Sequence, residues 1–355
     1  MSPFQVSVVI PAHNGLPDVL EAVGSALSQT RPPLEVVVVD DRSTDGTADA
    51  VERAFGDTAA GGPGEVRVLR GSFGSAGAAR NAGWRAARGE WVAFLDADDL
   101  WFDGKLAAAA ETLAAAPEAI WFFSDGAFRT LEGETRLSWL EPYAELPEHW
   151  VGRPVGELIE VNFVLTSSVL VKREALEAVS GFDESLSHAE DIDLWIRLAR
   201  RGDAAASRRA LVRYQHREGG LTRQIEARLN GDVVLFERLA ADPLLPDAQR
   251  EAARRRAALS HFKLGVSAVR EGRRSEARGH FAAASSLPEK RIAAALGTLA
   301  TLLPQVVLAR LRRQGWATGA AASMKRVRRV VLRDARNAAA AAPRAESRAA
   351  SGRRP

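Results

Sequence analysis

Val6-Ser7-Val8-Val9-Ile10, followed at once by Pro11-Ala12-His13-Asn14, is the stretch that decides the fold. A short, β-rich and almost continuously apolar run is typical of a strand buried on both faces. The same pattern returns at Val36–Val39, Val66–Leu69, Trp91–Leu95 and Ile120–Phe123. Segments with helical spacing separate the first strands. This alternation predicts an α/β fold with a mostly parallel, Rossmann-like sheet flanked by helices.

A polar cluster follows four of these predicted strands. The clusters are Pro11-Ala12-His13-Asn14, Asp40-Asp41, Asp96-Ala97-Asp98-Asp99 and Ser124-Asp125. In a parallel sheet the carboxyl ends of the strands share one edge, and open α/β sheets bind ligands there. The sequence therefore predicts one crevice lined by four polar clusters, three of them acidic.

The second half of the chain predicts fewer strands and more helices. Residues 164–172 are expected to form a strand, 174–179 a short helix and 190–201 a longer one, and no strand pattern occurs after about Ile225. Residues 252–286 resemble a helical hairpin broken at Gly272-Arg273-Arg274. We therefore divide the chain into an α/β domain (1–224), a helical C-terminal region (225–320) and a basic Ala/Arg-rich tail (321–355) expected to be disordered.

Composition narrows the function classes. The 355 residues include no cysteine, which excludes disulfides, thiolate nucleophiles and Cys-type zinc sites and fits a reducing compartment. Met1–Gln5 supplies no basic segment before an apolar one, so we expect a cytoplasmic protein. The net charge is +3, yet thirteen Lys/Arg against two acids lie from Arg310 onward. The preceding chain is thus acidic, and nucleic-acid binding is not expected.

The same tail suggests contact with a membrane surface. Residues 292–309 contain no charged side chain, and the basic cluster follows directly. An apolar segment beside a basic cluster can hold a protein on an anionic bilayer. From the residues alone, peripheral attachment at the inner face of the membrane and a helical subdomain packed on the α/β domain are equally good interpretations.

Asp96-Ala97-Asp98 gives the sharpest chemical pattern. Two carboxylates one residue apart at a strand end can divide their roles, one facing a ribose hydroxyl and the other a hard cation. Mg²⁺ or Mn²⁺ is often bound through one or two carboxylates plus phosphate oxygens, which suits a nucleotide diphosphate. The alternative is that Asp96–Asp99 only caps the next helix.

Asp40, Asp41 and Arg80 are further candidates. Either aspartate can accept an N–H from a nucleotide base, whereas residues 43–45 are expected to form the turn and cap of the next helix. Arg80 can contact a base or a phosphate, or it can be an exposed helix arginine. No Gly-x-Gly-x-x-Gly follows the first strand and no Walker-type lysine motif occurs.

Glu190-Asp191 and His216 complete the set. A carboxylate at a helix start is usually a cap or a dipole partner, but a carboxylate near a diphosphate can also be the base that takes a proton from an attacking hydroxyl. His216 becomes a metal-ligand candidate because the carboxylates supply too few ligands.

These motifs, in this order, resemble the family 2 glycosyltransferases with the GT-A fold. The resemblance covers roughly residues 5–217 and rests on Val6–Asn14, Val38–Thr47, Ala79–Gly83, Phe94–Asp99, and Gly181–Glu184 followed by Glu190-Asp191. Arg42 stands where family members often have glycine. No Gln-x-x-Arg-Trp motif follows Asp191, which argues against processive cellulose- or chitin-type synthesis.

The resemblance implies a metal-dependent, inverting transfer from a nucleotide-sugar to a glycan, lipid-linked or protein acceptor, in cell-envelope or extracellular glycan synthesis. It places Asp96 on ribose, Asp98 and His216 at the Mn²⁺ or Mg²⁺, and Asp191 as the base. The residues implied to line the nucleotide pocket are Pro11, Asn14, Asp40 or Asp41, and Arg80.

Two alternatives stay open at this point. A nucleotidyltransferase would share the sheet edge and the metal, but it normally has a Gly-rich basic loop where Pro11-Ala12-His13-Asn14 stands. A non-catalytic glycosyltransferase-like binding module would be indicated by loss of Asp98 or Asp191, and both are present.

Overall fold

The computed structural model describes residues 4–56, 62–129, 135–136, 138–140, 149–215, 225–287 and 291–301. Its first part alternates strands and helices in the predicted order: β1 (Val6–Ala12), α1 (Asp18–Leu27), β2 (Glu35–Asp41), α2 (Thr47–Phe55), β3 (Glu65–Gly71), α3 (Ala76–Ala86), β4 (Trp91–Phe94), β5 (Leu100–Trp101), α4 (Lys105–Ala114) and β6 (Trp121–Arg129). All five strands predicted there are present.

The chain continues through β7 (Thr135–Arg136), β8 (His149–Gly152), α5 (Val155–Glu160), a 3₁₀ turn (Thr166–Ser168), β9 (Leu170–Lys172), α6 (Arg173–Ala178), α7 (Glu190–Arg201) and β10 (Ala204–Tyr214). It then forms α8 (Ile225–Ala241), α9 (Asp247–Glu271), α10 (Arg274–Ala284) and α11 (Arg291–Ala300). The helical hairpin breaks at Gly272-Arg273, as the sequence predicts. None of the described helices combines the length and apolar character needed to cross a bilayer.

The sheet is mixed, with mostly parallel strands in the order β3-β2-β1-β4-β9-β6-β10-β5. β3, β2, β1 and β4 are parallel neighbours, and β6 is parallel to β10. The short β9 is antiparallel to both β4 and β6 and joins the two parallel halves. The carboxyl ends of β1, β2 and β4 therefore lie at one edge, as predicted.

Two predictions about strands were wrong. A strand over 164–172 was expected, but the 3₁₀ turn occupies its middle and only Leu170–Lys172 pairs. Ser124-Asp125 was expected after a strand, but β6 runs on to Arg129 and Asp125 lies within it. Asp125 accepts the amides of Gly126, Trp139 and Leu140, so it fixes the 138–140 segment against the sheet.

Both faces of the sheet are buried because alternate side chains of each strand point to opposite sides. Val8, Val36 and Val38 belong to one hydrophobic cluster, while Val9, Val37 and Val39 belong to the other. The second cluster continues without interruption into α8 and α9 through Leu235, Phe236, Leu239, Leu245, Ala252, Ala253 and Ala257. The predicted boundary at residue 224 and the tail 321–355 lie outside the described residues.

α3 lies unusually close to the sheet. A Cβ on Gly83 would stand 2.3 Å from Val9 Cγ1 and 3.0 Å from Val39 Cγ2. Because only glycine permits this approach, α3 brings the residues one turn earlier, including Arg80, down to the carboxyl edge of β1 and β2.

Candidate active site

The loops that follow β1 and β2 are joined by hydrogen bonds. Asn14 Oδ1 accepts the Thr44 amide at 2.8 Å, and the Asn14 amide donates to Ser43 Oγ at 2.9 Å. Asp45 accepts the amide of Thr47, the first residue of α2, at 3.0 Å. These contacts agree with a turn role for residues 43–45. They also show that the predicted pocket residue Asn14 already holds the two loops together.

Asp40 and Asp41 differ sharply in their surroundings. Asp40 pairs in register with Ala12 of β1, beside Pro11, and is 6% exposed. Its Oδ1 is buried and has no hydrogen-bond partner within the ranges that the structure describes. A buried polar atom of this kind normally has a partner, so Asp40 is open to a donor group from a ligand.

Asp41 is occupied by its own loop. It accepts the Phe73 amide at 2.8 Å and the Gly74 amide at 2.9 Å, and Arg42 Nε donates to it at 3.0 Å. Burial opposes ionisation of Asp41, but the hydrogen bonds from Phe73, Arg42 and Gly74 prevail and lower its pKa. Asp41 thus holds the segment between β3 and α3 in place.

Arg42 has a left-handed backbone conformation with φ of 56°. This region favours glycine, which explains why glycine suits this position in the family that the sequence resembles. The turn survives with arginine, and the side chain adds the contact to Asp41.

The Asp-x-Asp segment follows β4. Asp96 accepts a hydrogen bond from Arg80 Nη2 at 2.7 Å, and its amide donates to Ser167 Oγ at 3.0 Å. Burial and the neighbouring Asp96 raise the pKa of Asp98 to about 6. The positive charge of Arg80 lowers this pKa only in part, and a hard cation bound to Asp98 would offset the rest of its buried charge.

Asp99 has a structural role at the floor of the site. It accepts the Ser167 hydroxyl at 2.5 Å and the Gln215 amide at 3.1 Å, and it is 2% exposed. Burial, followed by the charges of Asp96 and Asp98, raises the pKa of Asp99 well above its usual range. Asp99 therefore ties the Asp-x-Asp segment to the 3₁₀ turn and to the end of β10.

Arg80 connects two parts of the site. Its side chain is 7% exposed, which excludes the exposed helix arginine considered from the sequence. Nη2 bonds Asp96, Nη1 bonds Glu190 at 3.0 Å, and the guanidinium stacks over Phe182 at 5.5 Å from the ring centroid. Burial opposes its charge, but Asp96 and Glu190 prevail and raise the pKa of Arg80. In the described part of the chain, this guanidinium contacts the carboxylates of Asp96 and Glu190 and the ring of Phe182.

Glu190 and Asp191 open α7 after Ala189, which has φ of 66°. Asp191 accepts its neighbouring Ile192 amide at 2.7 Å and the side-chain amide of Asn162 at 3.0 Å. Burial raises the pKa of Asp191, while burial and Asp191 raise the pKa of Glu190 to about 7. The Ile192 contact is local capping, whereas Asn162 fixes the side chain from another element.

Metal ligands beyond Asp98 are not defined by the described residues. His216 lies outside them, and the described part of the chain contains no group of three or more His, Cys, Asp or Glu arranged to hold a metal. Gln215, the residue before His216, is held at the site by Asp99. One carboxylate supplemented by diphosphate oxygens remains a set of ligands that Mg²⁺ and Mn²⁺ accept.

The aromatic residues that the structure describes between positions 130 and 153 pack against other parts of the chain. The Trp139 indole donates to the Phe163 carbonyl at 3.1 Å, and its ring contacts Phe128 and Tyr214. Trp150 packs against Phe123. Tyr143 lies outside the described residues.

Sequence reasoning did not identify Asn162 and Ser167 as residues that shape the site, and it did not assign Asp99 the role of joining segments of the site. Ser167 bonds both Asp96 and Asp99, and Asn162 bonds Asp191. Their partners lie 29 to 71 residues away along the chain, so no local spacing could reveal them. The acidic run Asp96–Asp99 was the one available indication, since its third carboxylate needs a partner of its own.

Comparison with known proteins supports the family resemblance that the sequence motifs indicate. The family model for glycosyl transferase family 2 matches residues 7–175. Succinoglycan biosynthesis protein ExoO of Rhizobium meliloti is 33% identical over 266 residues, covering 70% of this chain and 73% of ExoO. The chain belongs to glycosyl transferase family 2. A Rickettsia felis uncharacterized glycosyltransferase is 28% identical over 196 residues, which is 55% of this chain and 31% of that protein. The family 2 chain thus spans under a third of this longer relative.

Solved structures show the same GT-A architecture. S. aureus TarS 1–349 in complex with UDP-GlcNAc superposes with a TM-score of 0.60 at 20% identity, covering 79% of this chain and 81% of TarS. Mannosyltransferase PcManGT from Pyrobaculum calidifontis, in complex with GDP-Man and Mn²⁺, gives 0.56 at 23% identity and covers 83% of this chain and 80% of PcManGT. At these identities the likeness establishes the fold.

Proposed function

We propose that this family 2 chain transfers a sugar from a nucleotide diphosphate donor to an acceptor hydroxyl with inversion at the anomeric carbon. The observation that carries the proposal is the pair of contacts made by Arg80. One buried guanidinium bonds Asp96 of the Asp-x-Asp segment and Glu190, the neighbour of Asp191. Asp96, a candidate for donor binding, and Glu190, the neighbour of the candidate base Asp191, therefore contact the same side chain.

The donor's nucleotide is assigned to the edge formed by β1 and β2. Asp40 has a buried oxygen that is open to the N–H of a base; Pro11 lies beside it on β1, and Asn14 follows in the loop after β1. Asp41 is assigned to shape this pocket by holding the loop at Phe73 and Gly74. Asp96 is assigned to ribose. The UDP-GlcNAc and GDP-Man complexes of the two structural relatives support a nucleotide-sugar donor for a chain with this fold.

Asp98 is the residue that would hold a divalent metal, Mn²⁺ or Mg²⁺, and His216 is a second candidate. The raised pKa of Asp98 fits this role because a cation would offset its buried charge. The Mn²⁺ complex of PcManGT supports it as well. When bound, such a metal neutralises charge on the departing diphosphate.

Asp191 is assigned as the base. In the proposed step the acceptor oxygen bonds to the anomeric carbon while the bond from that carbon to the diphosphate oxygen breaks. The acceptor's proton passes to Asp191, and the nucleoside diphosphate leaves with the bonding electrons. Burial raises the pKa of Asp191, which strengthens it as a proton acceptor, and Asn162 orients its carboxylate.

The acceptor is proposed to be a glycan, a lipid-linked glycan or a protein, and the pathway to be the synthesis of envelope or extracellular polysaccharide. ExoO, named for succinoglycan biosynthesis, supports this direction. A location in the cytoplasm at the inner membrane face follows from the same proposal. Leu296 and Leu299 of α11 are 52% and 58% exposed, and the basic cluster begins at Arg310. Apolar and basic groups together suit an anionic bilayer surface.

The function is tested by incubating the purified chain with a panel of nucleotide-sugars and Mn²⁺ and measuring released nucleoside diphosphate. We expect release from one donor of the panel. Chelator should abolish it in the wild-type chain, and adding metal back should restore it. Asp98→Ala should also abolish release. Release of pyrophosphate from a nucleoside triphosphate and a sugar phosphate would instead indicate a nucleotidyltransferase. Binding of a donor without turnover, with any acceptor, would indicate a binding module.

The membrane contact has its own test, which is sedimentation with anionic liposomes at low salt. The full chain should sediment, and Leu296→Ser with Leu299→Ser should weaken this binding while donor hydrolysis is unchanged. A chain ending after Ser286 should remain folded, hydrolyse donor and stay in the supernatant. If the full chain ignores such liposomes, the membrane proposal is wrong and the transferase proposal stands.

A further inference from the structure

The helical pair α8–α9 contacts the two segments that hold Asp191. The residues of this pair fall in the region that the sequence alone separates from the α/β domain. Its apolar residues nevertheless share the core cluster that includes Ile192 and Trp195 of α7. Two of its residues, Arg256 and Gly231, make contacts whose geometry has a consequence for the site.

Arg256 of α9 caps the end of α5. Its Nη1 donates to the carbonyl oxygens of Leu158 and Ile159, at 3.1 Å each. The guanidinium stacks 4.1 Å from the Phe236 ring centroid and lies 3.8 Å from Asp232, with 18% of the side chain exposed. A cation that satisfies the last carbonyls of a helix fixes where that helix ends.

The end of α5 in turn determines the position of Asn162. α5 ends at Glu160, and Asn162 follows two residues later. Asn162 donates from Nδ2 to Asp191 at 3.0 Å, while its Oδ1 accepts the Val164 amide at 3.3 Å. Both polar groups of the Asn162 side chain are therefore engaged. A shift of the α5 terminus would move the group that orients the Asp191 carboxylate.

Gly231 of α8 supports Asp191 from the other side. A Cβ at this position would stand 2.5 Å from the His188 carbonyl oxygen and 2.9 Å from its carbonyl carbon. Real Cβ atoms do not approach backbone this closely, so only glycine lets α8 lie against this loop. His188 directly precedes Ala189, Glu190 and Asp191. The start of α7 is thus held by α8, independently of the contact through α5.

We propose that α8–α9 is a positioning element for the base, acting through Arg256 and Asn162 on one side and through Gly231 on the other. The inference rests on the proposed function, since it takes Asp191 as the base. Arg256 and Gly231 are positioning residues, because each contacts a segment that leads to Asp191 or to its partner Asn162. Their removal should impair the proton transfer and leave donor binding intact, because the donor is assigned to the β1–β2 edge.

The test compares Arg256→Met with Arg254→Met. Arg254 lies two residues earlier on α9, is 51% exposed, and pairs within α9 with Glu251 at 2.9 Å, so it is a matched control. With donor and Mn²⁺, Arg256→Met should lower kcat by about 10- to 100-fold and leave the Kd for nucleoside diphosphate within about twofold. It should also displace the acidic limb of the kcat–pH profile. Arg254→Met should change neither. Gly231→Ala should reproduce the kcat loss and the unchanged Kd.

A double-mutant cycle with Asn162→Ala separates positioning from general destabilisation. If Arg256 acts through Asn162, the two kcat losses should combine to clearly less than their product. Arg256→Lys, which retains the charge, should recover part of the activity if Arg256→Met folds poorly. Full kcat in Arg256→Met, losses that multiply, or a proportional loss of kcat and donor affinity would each overturn the inference. A wild-type chain that releases nucleoside diphosphate from no donor would overturn the proposed function itself.

Discussion

At the carboxyl end of β2, Asp41 takes three hydrogen bonds from groups within its own and the adjoining loop, and its pKa is lowered. At the start of α7, Asp191 and Glu190 are held by side chains from distant segments, and their pKa values are raised. The first carboxylate is fixed as an anion by nearby donors. The second pair keeps a high proton affinity because burial outweighs the help of Arg80 and Asn162.

This difference separates a carboxylate that stabilises a loop from carboxylates that can exchange a proton. A carboxylate with a lowered pKa stays ionised at neutral pH and can serve as a permanent acceptor for a loop. A carboxylate whose pKa approaches neutrality can take up a proton and release it again. The end of the site at Asp41 is therefore expected to tolerate changes of pH. The base side is expected to respond to them.

The largest effect is expected at Asp191. Asp191→Asn keeps the shape and can still meet Asn162, but it removes the proton acceptor, so kcat should fall by about 10² to 10⁴. The Kd for nucleoside diphosphate, measured by calorimetry, should change little. If donor affinity falls in proportion to kcat, Asp191 is a helix cap and the two sides of the site do not differ as described.

The next effect concerns stability and pH. Glu190 has a pKa of about 7 in the folded chain against 4.5 in the unfolded one, so between these values the folded chain holds a proton that the unfolded chain has lost. The free energy of unfolding contributed by Glu190 therefore falls as the pH rises from 4.5 to 7.

Glu190→Gln should flatten that fall by on the order of 1–3 kcal/mol, measured by urea unfolding of the ligand-free chain at pH 5 and pH 8. Part of the slope should persist, because burial also raises the pKa of Asp191 and Asp98. An identical slope in wild type and variant would contradict the raised pKa of Glu190.

Asp41 and Asp40 provide a matched pair on the donor side. Asp41→Asn replaces a carboxylate that accepts two backbone amides, so the free energy of unfolding should drop by about 1–2 kcal/mol. Asp40→Asn should leave stability within about 0.5 kcal/mol and should weaken nucleotide binding, since Asp40 Oδ1 is buried without a partner among the described residues. Reversed results for the two variants would exchange their roles.

Whether an element of the fold could be predicted from the sequence depends on how far apart its contacting residues lie along the chain. β1, β2, β3, β4 and β6 are continuous apolar runs, and α7 has a clear helical period, so all were predictable. β10 was not predicted because its first half, Ala204–Ala206, lacks β-branched residues and Arg208-Arg209 interrupts it at a register shift. Pairing with β6 makes it a strand, and that pairing is a tertiary property.

The site divides in the same way. Asp96, Asp98 and Asp191 stand at element ends that the pattern marks, so local reasoning located them. The burial of Arg80 depends on α3 lying against β1, and the role of Asn162 depends on α5 meeting α7. Both conditions are contacts between segments that are distant along the chain, so the local spacing of residues could not predict them. The sequence also separated 225–320 from the α/β domain, although α8 and α9 share a hydrophobic cluster with it.

The smallest effect is expected at Arg42. Arg42→Gly relieves a left-handed backbone conformation, a gain of roughly 1 kcal/mol, and loses an exposed ion pair with Asp41 that contributes about half as much. A net stabilisation of about 0.5 kcal/mol should appear in thermal unfolding. A loss above about 1 kcal/mol would mean that the Arg42 charge, and not the loop amides alone, holds Asp41.

Gly83 sets a limit on how this protein can vary. It lies three residues after Arg80 on α3, and its missing side chain lets the helix touch Val9 and Val39. Any larger residue would lift the helix from the sheet and withdraw the guanidinium from Asp96 and Glu190 together. Gly83, which has no reactive group, thus sets the distance at which Arg80 contacts both Asp96 and Glu190. In a mutational scan, position 83 should tolerate as little change as the acidic residues themselves, for reasons of distance alone.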